Sequence, residues 1–137
     1  MRFLIVEDDF GSRRLFQSYL GPYGRCDVVV DGDEALEAFR LAWEENDPYD
    51  AILLDIMMPR TDGQEALRTI REYESRIGVR EADGVRVIMT TALEDPKNVV
   101  EAYYRGAATS YLVKPIERET LLAELEKIGL ELGAPGG

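Results

Sequence analysis

The sequence predicts an α/β fold in which five parallel strands form a doubly wound sheet with helices on both faces. The chain has 137 residues, which is the size of about one domain. Five short apolar runs alternate with five longer amphipathic segments, an order typical of strands that are separated by crossover helices. Several runs are almost continuous in Val, Ile and Leu, as expected for strands that are buried on both faces.

The apolar runs define the predicted strands in chain order. Near-continuous apolar sequence favours a parallel sheet, because an edge strand of an antiparallel sheet would alternate apolar and polar residues. The predicted strands are Phe3 to Val6, Asp27 to Val30, Ala51 to Leu54, Val85 to Met89 and Ser110 to Val113.

Apolar residues recur at helical spacing in two of the intervening segments. We interpret both stripes as core, including the single tryptophan, because the helical period accounts for every position. The stripes are Leu36, Phe39 and Trp43 in the first segment, and Leu121, Leu125, Ile128 and Leu132 in the second.

A further helix is predicted from Asp95 to about Arg105, because an N-cap residue precedes a proline at the first helical position and Gly106 follows the segment. The polar stretch over 71–84 combines a helix end with a solvated connection. Residues 1–132 are predicted to form the domain and residues 133–137 a flexible tail. No second, DNA-binding domain is expected.

Composition excludes several classes of function. The chain carries 27 acidic and 16 basic residues, and a net charge of −11 disfavours nucleic acids and anionic membranes as direct partners. It contains no histidine, which excludes Ser-His-Asp triads, phosphohistidine relays within the chain and the usual zinc sites. Cys26 lies in an apolar run and is interpreted as a buried thiol. The first residues resemble neither a signal peptide nor a membrane span, so a cytoplasmic location is expected.

The residues that follow the predicted strands are strongly biased towards acids and hydroxyl groups. Ligands of an open parallel sheet bind beyond the carboxyl ends of its strands, so these residues are the candidates for chemistry. They are Glu7, Asp8 and Asp9 after the first run, Asp55 after the third, Thr90 and Thr91 after the fourth, and Lys114 and Pro115 after the fifth.

Clustered carboxylates repel one another and need a cation nearby. Oxygen ligands without His or Cys match a hard cation, and Mg²⁺ matches best because it takes one or two carboxylates together with waters and phosphate oxygens. Beside such an ion, Asp55 could act as a nucleophile towards phosphorus and form an acyl phosphate. Lys114 and a threonine hydroxyl would then bind the phosphoryl oxygens. Each of these residues alone has an ordinary structural explanation, and only their combination indicates phosphoryl-transfer chemistry.

The motifs FLIVEDD, ILLDIMMPRTDG, VIMTTA and SYLVKP resemble, in this order, those of the response-regulator receiver domain of bacterial two-component signalling. The resemblance covers nearly the whole chain and implies the flavodoxin-like receiver fold of a stand-alone, chemotaxis-regulator-like protein. It implies that Asp55 is the phosphoacceptor, which becomes a 4-aspartylphosphate. The ligands that it implies for Mg²⁺ are Glu7, Asp8, Asp55 and the backbone carbonyl of Met57. Asp9 lies one position beyond the acidic pair and is interpreted as a helix N-cap.

The same resemblance implies a switch. Thr91 and Lys114 would bind the phosphoryl group, and Tyr111 would turn inward behind Thr91. The output face would comprise the fourth helix, the fifth strand and the fifth helix of the family. On this chain the face includes Lys97, Glu101, Tyr103, Tyr104 and Arg105.

Two positions tune dephosphorylation in the family, and on this chain they hold Met57 and Leu93. Neither side chain can orient an attacking water by hydrogen bonding, so we predict a long-lived acyl phosphate.

The resemblance implies a histidine kinase or phosphotransfer protein as the phosphodonor, and a separate protein as the target, with a homodimer as an open alternative. The domain would be a signalling switch rather than a turnover enzyme.

Two other functions stay open at this stage. One is an interaction module of the same fold that works without phosphorylation. The other is a Mg²⁺-dependent phosphatase or phosphotransferase, which the apolar Met57 disfavours because such enzymes place a second acid at that position. Flavin or dinucleotide binding is disfavoured because neither G-x-G-x-x-G nor G-x-x-x-x-G-K-[ST] occurs in the chain.

Overall fold

A computed structural model of the chain describes residues 1–56, 62–92 and 108–136. Five strands form one sheet in the order β2-β1-β3-β4-β5, and every neighbouring pair is parallel. The predicted fold class is therefore confirmed. The strands are β1 (Arg2–Val6), β2 (Arg25–Val29), β3 (Ala51–Asp55), β4 (Arg86–Thr91) and β5 (Ser110–Val113).

The described residues contain four α-helices, which cover both faces of the sheet. They are α1 (Phe10–Leu20), α2 (Gly32–Glu44), α3 (Gly63–Arg76) and α4 (Arg118–Lys127). The helix predicted from Asp95 to Arg105 falls outside the described residues. None of the described helices is long and apolar enough to cross a bilayer.

Side chains that alternate along the strands separate into two cores, one on each face. Leu4, Ile52 and Leu54 pack with α2 and α3, whereas Phe3 and Ile5 pack with α1 and α4. The three central strands carry most of the largest fully buried side chains, and this explains why their sequences contain nearly continuous apolar runs. Trp43 packs against the first core, as predicted.

Each of the first three helices begins with an aspartate N-cap. Asp9, Asp31 and Asp62 accept hydrogen bonds from the backbone amides of Ser12, Glu34 and Gln64, each at 2.8 Å. These carboxylates satisfy amides that have no partner inside the helix. The caps set the starting points of these helices, and three residues separate the end of β1 from the start of α1.

The predicted helical stripe through Leu132 is wrong at its end. Helix α4 stops at Lys127, and Gly129 follows with a φ of +107°, a left-handed conformation that ends a helix and favours glycine. Leu132 is still buried in the same core as Leu121 and Leu125. Its spacing matches a helix, but the chain reaches the core there as an irregular segment. Farther along, the Gly136 amide donates a hydrogen bond to the Pro22 carbonyl at 2.6 Å.

Candidate functional site

The sheet brings the predicted site residues to one edge. Asp55 ends β3 opposite Thr90 of β4, and Thr91 lies opposite Val113 of β5. Glu7 follows β1 directly and its amide donates to the Val29 carbonyl at 3.0 Å. All strands run in the same direction, so their carboxyl ends meet at this edge and place acids, hydroxyls and a lysine together.

Three carboxylates form an acidic cluster, which comprises Glu7, Asp8 and Asp55. Each residue offers one oxygen atom, and these three atoms all lie within 4.8 Å of one another. Glu7 is 1% exposed and Asp55 is 5% exposed, whereas Asp8 is exposed. The cluster therefore has a buried base and an open mouth, which a ligand can enter from solvent.

Lys114 supplies the positive charge at the base of the cluster. Its ammonium group donates a hydrogen bond to Glu7 Oε1 and lies 3.5 Å from Asp55 Oδ2. The lysine side chain is only 16% exposed. Its amide donates to the Thr91 carbonyl at 2.7 Å, which links the lysine to the end of β4.

Burial, together with the neighbouring groups, raises the pKa of Glu7. Burial raises the pKa of Glu7 to about 7, and the neighbouring Asp55 carboxyl adds to this, whereas Lys114 opposes it. Burial disfavours the charged form of Lys114, but its hydrogen bond with Glu7 and the charge of Asp55 leave the lysine pKa above its ordinary value. One ammonium group faces three carboxylates, so the cluster has excess negative charge.

These residues fit a Mg²⁺ ion. The donor set consists of carboxylate oxygens, which a hard cation prefers, and two of the three carboxylates are buried beside a third that faces solvent. Glu7, Asp8 and Asp55 would hold the ion and leave room for waters or phosphoryl oxygens. The predicted fourth ligand, the carbonyl of Met57, lies outside the described residues.

Asp9 has the structural role predicted for it. Its side chain caps α1 through the Ser12 amide, and this contact lowers the pKa of the Asp9 carboxyl. Its own amide lies 3.4 Å from Glu7 Oε2, to which it donates a long hydrogen bond. Asp9 therefore helps to orient the acidic cluster without joining it.

The predicted switch residues lie in contrasting environments. Thr91 is 2% exposed at the end of β4, next to the acidic cluster, whereas Tyr111 is 43% exposed on β5. Their switch roles remain predictions. Leu93 and the five predicted output-face residues fall outside the described residues. Those five are Lys97, Glu101, Tyr103, Tyr104 and Arg105.

Three features near the site were not predicted from the sequence. Phe10, the first residue of α1, is 64% exposed, and the guanidinium groups of Arg13 and Arg14 lie 5.7 and 5.8 Å from its ring centroid. The sequence signal for this cluster is an aromatic residue followed three and four positions later by arginines.

The second unpredicted feature is Gly63, which packs so closely that a Cβ atom there would lie 2.4 Å from the Asp55 carbonyl oxygen.

The third unpredicted feature is a contact between Tyr19 of α1 and the segment after β5. The Tyr19 hydroxyl donates to the Ile116 carbonyl at 3.1 Å, across 97 positions of sequence. No local pattern could indicate this pairing.

Comparison with known proteins agrees with the geometry. The family model described as "Response regulator receiver domain" matches residues 3–126. The transcriptional regulatory protein ResD of Bacillus subtilis is 37% identical over 123 residues, which are 88% of this chain. The transcriptional regulatory protein SrrA of Staphylococcus aureus is 35% identical over 120 residues, 87% of this chain. The chemotaxis protein CheY4 of Vibrio cholerae superimposes with a TM-score of 0.74 at 27% identity, covering 93% of this chain and 97% of that one.

The chain spans only part of its curated relatives. It covers 45% of ResD and 44% of SrrA, and 12% of another relative, from rice. Domains of this family are signalling switches of two-component systems. They bind Mg²⁺ in an acidic pocket and interact with histidine kinases or phosphotransfer proteins. The match over residues 3–126, together with the acidic cluster and its lysine, shows that this chain belongs to the response regulator receiver family.

Proposed function

We propose that this receiver is a phosphorylation switch whose phosphoacceptor is Asp55. A partner histidine kinase or phosphotransfer protein donates the phosphoryl group in a Mg²⁺-dependent reaction, and the modified domain then acts on a separate protein. The observation that carries the proposal is the position of Asp55. Its buried carboxylate has the Lys114 ammonium group 3.5 Å away and two further carboxylates within 4.8 Å.

The chemistry of the transfer follows from this arrangement. A carboxylate oxygen of Asp55 attacks phosphorus, an oxygen–phosphorus bond forms, and the bond to the donor imidazole breaks with its electron pair going to nitrogen. Lys114 holds a phosphoryl oxygen as a point charge, and the Thr91 hydroxyl donates to another. A bound Mg²⁺ would supply Lewis-acid stabilisation of the charge on the transferred group.

Signal output in this proposal begins at Thr91. When Thr91 moves towards the phosphoryl group, Tyr111 turns inward from its exposed position on β5. This changes the output face that the family resemblance implies, to which β5 and α4 contribute among the described residues. The receiver itself has no output activity in this scheme, and a separate protein binds that face.

The chemistry can be tested by intact-protein mass spectrometry after incubation with acetyl phosphate and Mg²⁺. We expect a single adduct of about 80 Da, the mass of one phosphoryl group, on the wild type. The adduct should be absent from Asp55→Asn and from samples with EDTA. The matched control is Asp33→Asn, which removes an exposed carboxylate of α2 and should leave the adduct unchanged.

The outcome separates the proposed function from its alternative. If neither acetyl phosphate nor a phosphorylated partner kinase modifies the folded, Mg²⁺-binding protein, the switch proposal is wrong and an interaction module remains. An adduct that persists in Asp55→Asn would place the phosphoacceptor elsewhere. The decay of the adduct also tests the predicted effect of Met57 and Leu93, since a half-life of seconds would contradict a long-lived acyl phosphate.

A further inference from the structure

Lys114 lies between two anchored points of the backbone. On its amino-terminal side, its own amide donates to the Thr91 carbonyl at 2.7 Å. On its carboxyl-terminal side comes Pro115, which has no amide hydrogen and so cannot itself anchor the backbone through an amide hydrogen bond. The second anchor is Ile116, whose carbonyl accepts the hydrogen bond from the Tyr19 hydroxyl at 3.1 Å.

Tyr19 is itself firmly placed. Its ring packs against the core that contains Phe16, Ile116 and Leu121, and its centroid lies 6.5 Å from that of Phe16. Ile116 is 4% exposed, so the accepting end of the contact lies in the packed interior between α1 and α4, whereas Tyr19 is half-buried. A hydrogen bond in such surroundings restrains its acceptor more strongly than one that competes with water.

We infer that Tyr19 is a positioning residue for the phosphoryl-transfer site, because its hydroxyl holds the segment that places the Lys114 ammonium group between Glu7 and Asp55. The kinetic consequence of this inference rests on the proposed function. Its structural consequence is independent, because it concerns only the contacts that the Lys114 ammonium group makes with Glu7 and Asp55. Tyr19 touches neither the acidic cluster nor the reacting atoms, and acts through the backbone of Ile116.

The test uses Tyr19→Phe, which removes the hydroxyl and keeps the ring. Tyr23→Phe is the matched control. Tyr23 packs against the same core, and its hydroxyl makes no hydrogen bond within the part of the chain that the structure describes.

The first measurement is the lysine side-chain spectrum of the metal-free protein. The chain has only three lysines, Lys97, Lys114 and Lys127, so ¹³C-labelled lysine gives three Cε signals that Lys97→Arg and Lys127→Arg assign. In Tyr19→Phe we expect the Lys114 signal to move by more than its line width while the other two stay in place. In Tyr23→Phe all three signals should be unchanged.

The second measurement is the rate of phosphorylation by acetyl phosphate with saturating Mg²⁺. We expect Tyr19→Phe to lower the rate constant about threefold to tenfold, the effect of losing one hydrogen bond that positions a reacting group. In a Lys114→Ala background, Tyr19→Phe should cause no further loss, because its effect passes through the lysine.

Two results would overturn the inference. One is an unchanged Lys114 signal in Tyr19→Phe. The other is a double variant whose phosphorylation rate constant falls by the product of the two single-variant factors. If the wild type accepts no phosphoryl group at all, the proposed function fails, and the lysine spectrum still decides whether Tyr19 positions Lys114.

Discussion

Two acidic residues of this receiver, Glu7 and Asp27, show how neighbouring groups determine the proton affinity of a carboxylate. Glu7 is buried, Asp27 is half-buried, and both contact a basic side chain. Glu7 shares its lysine with Asp55, and its pKa is raised to about 7, first by burial and then by that second carboxyl. Burial also raises the pKa of Asp27, but hydrogen bonds from Tyr49 and Arg2 outweigh it and leave the pKa below its ordinary value.

The environment of Asp27 predicts a loss of stability in acid. Its Oδ2 atom accepts from Tyr49 Oη at 2.7 Å and from Arg2 Nη2 at 2.9 Å, and the Arg2 side chain is only 6% exposed. A carboxylate with a depressed pKa in the folded state stabilises the fold above the unfolded-state pKa, and this contribution disappears as pH falls through the folded-state pKa.

We expect Asp27→Asn to lower the free energy of unfolding at pH 7 by about 2 kcal/mol, the scale of hydrogen bonds to a charged group. The difference from wild type should begin to shrink below about pH 4, where the carboxyl of the unfolded chain becomes protonated, and should disappear as pH falls through the depressed folded-state pKa. Urea denaturation at several pH values measures this, with Asp33→Asn as the exposed control. An equal difference at pH 7 and pH 3 would contradict the assignment.

At the level of secondary-structure elements, the site depends on how closely α3 approaches the end of β3. The Gly63 amide donates to the Ile56 carbonyl at 3.0 Å, directly after Asp55. A Cβ atom on Gly63 would lie 2.4 Å from the Asp55 carbonyl oxygen and 2.7 Å from Ile56 Cα. These neighbours are backbone atoms, so they cannot give way by a side-chain rotation.

Gly63→Ala should therefore destabilise the protein by about 1–3 kcal/mol, the usual cost of overpacking, and should weaken Mg²⁺ binding because Asp55 shifts. Gly21→Ala is the matched control: Gly21 has ordinary helical dihedral angles, and a Cβ atom added there would meet no described atom within 4 Å. That variant should be neutral or slightly stabilising. Chemical denaturation and a Mg²⁺ titration measure both variants, and equal behaviour of the two would refute the close-approach argument.

For the whole molecule, the excess of acidic residues makes stability depend on cations. The net charge is −11, and three carboxylates are concentrated at one edge of the sheet with a single lysine. An ion that binds the folded state alone stabilises it by mass action, by about 2.7 kcal/mol at one hundred times its Kd. Stability should therefore rise with Mg²⁺ concentration.

Asp8→Asn should change this dependence in two opposite ways. Without Mg²⁺ the variant should be at least as stable as wild type, because one of three repelling carboxylates is gone. With Mg²⁺ most of the stabilisation should be lost, because a ligand is gone. Thermal unfolding with and without Mg²⁺ tests both effects, and Glu72→Gln, an exposed residue of α3, serves as control. An undiminished Mg²⁺ response in Asp8→Asn would exclude Asp8 as a ligand.

Much of the fold and of the acidic cluster could be predicted from local sequence. The apolar runs identified all five strands to within two residues at either end, because the strands of a parallel sheet between two helical layers are rich in apolar residues, most completely the three central strands. The acids after β1 and β3 and the lysine after β5 could be predicted to converge, because parallel strands end at one edge. The N-cap role of Asp9 could likewise be predicted from its position before α1.

Long-range packing decided the rest. Leu132 is at helical spacing from Leu125 and Ile128, yet the helix ends before Gly129. Leu132 is therefore buried in the core as part of an irregular segment. The acidic pattern does not say that the Lys114 ammonium group contacts both Glu7 and Asp55, since that depends on the reach of each side chain from its own strand. The Tyr19 contact with Ile116 joins residues 97 positions apart. Sequence periodicity reports which face of an element is buried, whereas only the folded chain determines which distant atoms that face meets.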